Sequence, residues 1–307
     1  MTLEQLRIFV AVAEREHVTQ AARDINLTQS ATSSAIAALE SRYATKLFNR
    51  VGRRIELTEA GRLFLVEARA VLARASSAER VLADLAGLKK GRLALAASQT
   101  IANYWLPPLM RRFQDLYPGI ALGVSIGNTE QVAAWTRDGV AELGFVEGEV
   151  DDPALAVRPV AEDDLVLVMG ADHPWSGPGR TGRGPVGLDR LFELRWVLRE
   201  AGSGTRAMFE AALRDAGQSP AALDVALELP SNEAVRAAVE AGAGATVISR
   251  LVVASALRAG TLVEIPVPLP KRRFLALRHR ERYETRAERE MLALLEGAPS
   301  SGNGGIR

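Results

Sequence analysis

Residues 199–206 read Arg199-Glu200-Ala201-Gly202-Ser203-Gly204-Thr205-Arg206. The two glycines free the backbone to turn, Ser203 and Thr205 offer hydroxyl donors, Arg199 adds a fixed cation, and a helical pattern begins at Gly204. Donors, a cation and the positive end of a helix together suit a small anion: a sulfur oxyanion, a phosphorylated metabolite or a carboxylate. A helix start whose Arg199 pairs with Glu200 or another acid fits the same residues, and the sequence leaves both readings open. Other polar groups follow apolar runs: Ser98-Gln99-Thr100, Asn128-Thr129, Glu147 and Ser231. Any of them could simply cap a helix. Their shared place after strands makes them ligand candidates, because open α/β sheets bind ligands beyond the carboxyl ends of their strands. The expected anion contacts are therefore Ser98, Gln99, Thr100, Asn128, Thr129, Glu147, Arg199, Ser203, Gly204, Thr205 and Ser231.

A second constellation lies near the front of the chain. A helix capped by Thr28 turns Thr32, Ile36 and Leu39 to one face and Gln29, Ser30, Ser33 and Ala37 to the other. Small side chains let such a helix approach a duplex closely, and glutamine and serine can hydrogen-bond base edges. Arg42, Lys46, Arg50, Arg53 and Arg54 follow with no acid among residues 41–55, which suits phosphates or a narrow minor groove. Such a cluster can equally be a solvated surface, and three helices can equally bind protein. The residues expected at double-stranded DNA are Thr28, Gln29, Ser30, Thr32, Ser33, Ser34, Arg50, Arg53 and Arg54.

The elements that must position these groups can be read in order. Thr2 and Gln5 have capping-box spacing, and Leu6, Phe9, Val10 and Ala13 predict a helix over 3–14. Thr19 would cap a short helix over 20–24, and Ile55 and Leu57 predict a small hairpin around Val51-Gly52. The set is a winged helix-turn-helix over residues 1–58. From Thr58 a long helix carries Leu65, Ala68, Leu72, Ala75, Leu82 and Ala86 near a heptad rhythm, which favours pairing with another helix over packing on its own domain. This linker and its hinge occupy 59–90. Beyond Gly87–Gly91 the pattern alternates strand and helix: strands at 93–97, 120–126 and 142–146 flank helices over 101–116 and 129–138. A second run has strands at 164–169, 195–199, 223–229 and 245–249 with helices over 204–216, 231–241 and 250–258. Two α/β lobes follow. Residues 171–187, with three prolines and five glycines, form a loop.

Composition narrows the possible functions. At 307 residues the chain suits two or three domains. The net charge of +1 hides a basic front, with 14 Lys plus Arg against 10 Asp plus Glu in residues 1–90. Zero cysteines exclude a disulfide framework, a thiolate metal site and a cysteine nucleophile, and three histidines offer little for a metal. No cofactor is expected. The start lacks the pattern of a secretory signal, and no unbroken apolar stretch suits a membrane span, so a cytoplasmic location is expected. An oxyanion-dependent enzyme or a solute-binding module built on Ser203 and Arg199 is the alternative. Ser203 lacks a base, however, since arginine cannot deprotonate it, and Gly202-Ser203-Gly204 lacks nucleophile-elbow spacing. Gly242-Ala243-Gly244 reads as a helix stop rather than a dinucleotide fingerprint.

Gln20-Ala21-Ala22, Leu27-Thr28-Gln29-Ser30-Ala31, Ser33, Ile36, Leu39-Glu40, Leu47-Phe48-Asn49-Arg50, Arg53 and Leu57-Thr58-Glu59-Ala60-Gly61 resemble, in this order, the DNA-binding domain of LysR-type transcriptional regulators. Ser30 stands where that family usually has proline. Residues 91–296 resemble the family's effector domain, built like a two-lobed periplasmic solute-binding protein. The 199–206 segment is similar to the subset containing regulators of carbon fixation and of sulfite or cysteine metabolism. The resemblance implies an α/β fold with lobe I at 91–161 and 268–296 and lobe II at 162–267. It places crossover hinges near 160–164 and 265–270, followed by a strand at 273–278, a helix over 286–296 and a disordered tail at 297–307. It also implies a homodimer or homotetramer joined through the linker helix, an anionic effector in the cleft, and RNA polymerase as a partner.

Overall fold

The computed structural model describes residues 1–51, 54–85, 91–177 and 186–296. Two compact units result, one centred on Met1–Leu85 and one carrying two five-stranded sheets.

In the first unit, α1 (Leu3–Arg15) begins with the expected capping box, in which the Thr2 hydroxyl accepts from the Gln5 amide and the Gln5 side chain accepts from the Thr2 amide. Its buried face, Leu6, Phe9, Val12 and Ala13, follows helical spacing. α2 (Val18–Asp24) starts earlier than expected and is capped by the His17 ring nitrogen rather than by Thr19. Its Ala21 and Ala22 are fully buried, which lets α3 (Gln29–Tyr43) pack close. β1 (Phe48–Val51) and β2 (Arg54–Leu57) pair antiparallel from Phe48 opposite Leu57 to Val51 opposite Arg54. The turn of this wing, with Arg53, lies outside the described residues.

α4 (Glu59–Leu85) differs from the expected free-standing linker. Leu65, Ala68 and Leu72 join Leu6, Phe9, Leu39 and Leu47 in the core of this unit, so the first half of the stripe serves its own domain. Phe9, between Phe48 and Phe64, supplies the bulk against which these side chains pack. Among the described residues the large apolar side chains of α4 that are exposed are Leu63, Val66, Val71, Leu82 and Leu85. Ala86 and the hinge through Lys90 lie outside the described residues.

In the second unit the first lobe has strand order β4-β3-β5-β12-β6: β3 (Gly91–Ser98), β4 (Ile120–Gly127), β5 (Leu143–Glu147), β6 (Leu155–Asp163) and β12 (Arg272–His279). The other lobe has order β11-β7-β10-β8-β9: β7 (Leu165–Gly170), β8 (Arg195–Arg199), β9 (Asp224–Leu229), β10 (Ala245–Ser249) and β11 (Leu262–Ile265). The helices are α5 (Leu106–Leu116), α6 (Thr129–Asp138), α7 (Gly204–Asp215), α8 (Asn232–Glu240), α9 (Arg250–Ala259) and α10 (Arg286–Glu296). β7 shows why these strands read as apolar runs: Leu165, Leu167 and Met169 enter one core layer while Val166 and Val168 enter the layer on the other face.

Three departures have physical causes. The helix expected over 101–116 opens with a π-helical turn, Ile101–Trp105, ahead of Pro107-Pro108, which lack the amides needed for regular bonding. β6 and β11 were not marked by the sequence pattern, because one is polar and interrupted by Pro159 and the other is only four residues long. Pro159, expected at a hinge, sits inside β6 beside a bulge, where an edge strand tolerates a missing donor. The first crossing is therefore confined to Asp164, and lobe I extends to Asp163 rather than ending at 161; the second crossing spans 266–271. The loop expected at 171–187 contains a short 3-10 turn at Pro174–Ser176, with 178–185 outside the described residues, as is the tail from 297.

Candidate functional site

The residues expected at a duplex lie in the first unit, most of them at the start of α3. The Thr28 hydroxyl accepts from the Ala31 amide at 3.2 Å and lies 3.1 Å from the Ser30 hydroxyl. Gln29, Ser30 and Ser34 are exposed and Ser33 is half-buried. Thr32 is a correction: it is fully buried, its hydroxyl donates to the Thr28 carbonyl at 3.0 Å, and it cannot reach a duplex. Arg50 and Arg54 stand in the wing strands.

The wing is tied to α3 by Glu40. Its Oε1 accepts from the amides of Leu47 at 2.8 Å and Phe48 at 3.2 Å, and its Oε2 accepts from Lys46 Nζ at 2.8 Å. Burial pushes the Glu40 carboxyl up, but the bonds from Lys46 and the two amides outweigh it and hold it below the ordinary carboxylate range. A carboxyl depressed in the folded state stabilises the fold above its unfolded value, and that contribution is lost as pH falls through the folded value. Glu40→Ala should accordingly destabilise the first unit by about 1.5–3 kcal/mol at neutral pH. The deficit relative to wild type should shrink as pH falls through and below the ordinary carboxylate range, as read by chemical denaturation; a deficit independent of pH would contradict this role.

In the second unit several of the expected anion residues meet between the lobes. From the first lobe come Ser98 and Thr100, whose hydroxyls both donate to the Glu147 carboxylate, the latter at 3.3 Å. The Thr129 hydroxyl donates to the Glu147 carbonyl at 2.8 Å. Glu147 is buried, so hydroxyls suited to an anion are engaged by the protein's own carboxylate. From the other lobe comes Arg199, buried, with Nε and Nη2 on the two Glu200 oxygens at 2.7 and 2.8 Å and Nη1 on Asn232 Oδ1. The paired reading of Arg199 is thus the one realised in this structure. Burial raises the Glu200 carboxyl, but Arg199 overcomes it and keeps the group below its ordinary value.

Both partners of Arg199 reach across to the first lobe. Asn232 Nδ2 donates to the Thr100 hydroxyl at 3.1 Å, and Glu200 Oε1 accepts from Asn128 Nδ2 at 3.4 Å. Gln99 spans the lobes as well, donating to the Pro230 carbonyl at 2.7 Å and accepting from the Asn232 amide at 2.9 Å. Ser203 occupies the cap position of α7, yet no side chain caps that helix, so its first amides are not taken by a cap. Gly204 lies where the lobes meet, since an added Cβ would overlap the Glu147 carbonyl oxygen and crowd the Thr129 hydroxyl.

Ser231 caps α8, its hydroxyl accepting from the Ala234 amide at 3.3 Å. Asn128 rather than Thr129 bonds the third residue of α6. The Thr205 hydroxyl accepts from Arg272 Nη1 at 2.9 Å. The Glu200 pairing was one of the two readings open in the sequence, and Asn232 adjoins Ser231; what local spacing did not mark is that both reach across to Asn128 and Thr100 of the first lobe. Sequence reasoning missed Arg272, which nothing in the local spacing marks. His17, His173 and His279 each accept a backbone amide through Nδ1 in a local turn or cap. Among the described residues no helix is long and apolar enough to cross a membrane.

Two family models match the chain: a bacterial regulatory helix-turn-helix protein of the lysR family over residues 3–62, and a LysR substrate binding domain over residues 86–299. An uncharacterized HTH-type transcriptional regulator of Escherichia coli, YeiE, is 35% identical over 294 residues, covering 95% of this chain and 96% of the relative. The HTH-type transcriptional regulator CysL of Bacillus subtilis is 33% identical, covering 82% of each. Full-length CbnR complexed with its target DNA superimposes with a TM-score of 0.69 at 22% identity, over 97% of this chain and 99% of that one. The regulatory domain of Synechocystis CcmR in complex with 2-PG gives 0.61 at 26% identity, over 68% of this chain and 97% of that one.

Proposed function

The chain belongs to the LysR family of bacterial transcriptional regulators, and on that footing we propose that paired copies read an inverted repeat and answer to a small anion held between the lobes. It is a DNA-binding regulator with an effector domain, and not an enzyme. Gln29, Ser30, Ser33 and Ser34 face base edges, Thr28 meets a phosphate, and Arg50, Arg53 and Arg54 lie along the backbone or in the minor groove. Two chains join through the exposed apolar residues of α4, as a dimer or a dimer of dimers, and the promoter-bound assembly acts on RNA polymerase in the cytoplasm.

The observation that carries the effector reading is the convergence, between two lobes, of Ser98, Thr100, Arg199 and the side-chain-uncapped start of α7. An anion entering there takes the place of the Glu147 carboxylate on the two hydroxyls and that of Glu200 on Arg199. That exchange selects a compact ligand with several acceptor oxygens, such as a sulfur oxyanion or a phosphorylated or carboxylated metabolite. The regulatory domain of CcmR, of related fold, was solved with 2-PG, which makes 2-PG a first probe, beside sulfite as the compact sulfur oxyanion. A thermal-shift series with sulfite, thiosulfate, 2-PG and simple carboxylates tests the reading, because a ligand bound only to the folded state stabilises it by mass action. A shift with none of these anions counts against an anionic effector.

The wing carries its own prediction. Each neutralised phosphate contributes roughly −0.9 to the slope of log affinity against log salt. Arg53→Ala, acting twice in a dimer, should flatten that slope by about 2 on an operator fragment. An unchanged slope removes Arg53 from the phosphate contacts.

A further inference from the structure

One buried charged cluster in the second unit lies outside the anion contacts just described. Arg272, the first residue of β12 after the second crossing, pairs across the ladder with Asp163, the last residue of β6 before the first crossing. Their side chains are 0% and 2% exposed; Nε donates to Asp163 Oδ2 at 2.6 Å, and Nη2 lies 2.6 Å from the same oxygen without hydrogen-bond geometry. Each member then reaches a different part of the other lobe. Ser249, which closes β10, donates to Asp163 Oδ1 at 2.9 Å, and Arg272 Nη1 donates to Thr205 Oγ1, in the first turn of α7, at 2.9 Å. Nη1 also lies 3.8 Å from Glu147 Oε1, the carboxylate that holds Ser98 and Thr100. At the first crossing, between β6 and β7, the Asp164 carbonyl accepts from the Arg250 amide at 2.9 Å.

Stability alone explains this arrangement poorly. Ions taken out of water forfeit hydration, and apolar side chains of similar volume commonly serve as well or better. Burial pushes the Asp163 carboxyl up, and Arg272 and Ser249 offset only part of that. What a guanidinium supplies and an apolar side chain cannot is a rigid fork of donors with fixed directions.

We propose that Arg272 is a positioning residue: fixed to Asp163 where both connections cross, it holds the first turn of α7 against the first lobe and so sets the width of the cleft. The ligand consequence rests on the anion reading, whereas the mechanical consequence does not.

The test compares full-length wild type, the double variant Asp163→Leu/Arg272→Met and the single variant Arg272→Lys. Three quantities are read: melting temperature, hydrogen exchange of the amides at 160–165 and of Val267, Leu269, Lys271 and Arg272, and the midpoint of calorimetric titration with sulfite and with 2-PG. The double variant is expected to melt within a few degrees of wild type, because the apolar pair replaces the ionic one. Its crossing amides should nevertheless exchange about tenfold faster, and its titration midpoints should rise about tenfold. Arg272→Lys, which keeps the charge and loses the fork, should shift exchange and midpoints in the same direction. Wild-type exchange at both crossings in a well-folded variant overturns the proposal, as does faster exchange with unchanged midpoints. If neither probe binds wild type, the anion reading fails for those probes, and the exchange rates alone decide the role of Arg272. Should the double variant not fold, the lysine variant is judged by the same criteria.

Discussion

Gly204→Ala should weaken anion binding by roughly 5- to 150-fold, the range set by an overpacking cost of about 1–3 kcal/mol. The residue opens α7 and has no left-handed backbone torsion, so alanine meets no local strain and suits the helix. Its methyl group would instead meet the other lobe, overlapping the Glu147 carbonyl oxygen and crowding the Thr129 hydroxyl. Relief requires the lobes to part, which separates the start of α7 from Ser98 and Thr100. The cores of both lobes lie elsewhere, so melting in the absence of ligand should change little. Calorimetric titration with sulfite and 2-PG measures the affinity, and a wild-type midpoint would show that the lobes need not meet at this point for binding.

Arg199→Ala should abolish the response to anion, with affinity falling at least about 30-fold, while operator binding stays measurable. Truncating one partner of a buried, hydrogen-bonded charge pair costs about 2–5 kcal/mol, which corresponds to roughly 30- to 4,000-fold. Arg199 holds Glu200 and Asn232, and those two residues carry hydrogen bonds to Asn128 and Thr100 of the first lobe. Removing the guanidinium therefore deletes the cation and loosens two bridges together. Lysine should not rescue the response, since a point charge cannot hold both Glu200 oxygens and Asn232 at once. The measurement is operator binding titrated with sulfite and 2-PG. A preserved response in Arg199→Ala would leave the residue as a purely structural partner of Glu200.

Much of the second unit was legible because its central strands are buried on both faces. Runs such as Leu165–Met169 cannot be mistaken for surface, and the helices between them keep a clear apolar face. β6 and β11 gave no such signal, since β6 is polar and broken by Pro159, which an edge strand tolerates, and β11 spans only four residues. In α4 the apolar rhythm was visible, but it mixed two destinations. Leu65, Ala68 and Leu72 pack on Phe9 and its neighbours, while Leu63, Val66 and Leu82 remain exposed. Heptad spacing reports that a face is apolar and does not say which surface covers it. Thr32 shows the same limit at one residue: on a short polar helix a hydroxyl can face a duplex or bond the preceding turn, and its burial decided for the latter.

By itself the amino-acid order determined the helix-turn-helix and its wing, the alternation that makes two α/β lobes, and the segment from Arg199 to Arg206, because periodicity, capping and glycine placement act over a few neighbouring residues. Only the tertiary structure decided which charges meet. Glu147 came to lie on Ser98 and Thr100, Asn232 between Arg199 and Thr100, and Asp163 opposite Arg272, 109 positions apart. Such pairings depend on where strands end and chains cross, and buried polar groups must find partners wherever the fold brings them.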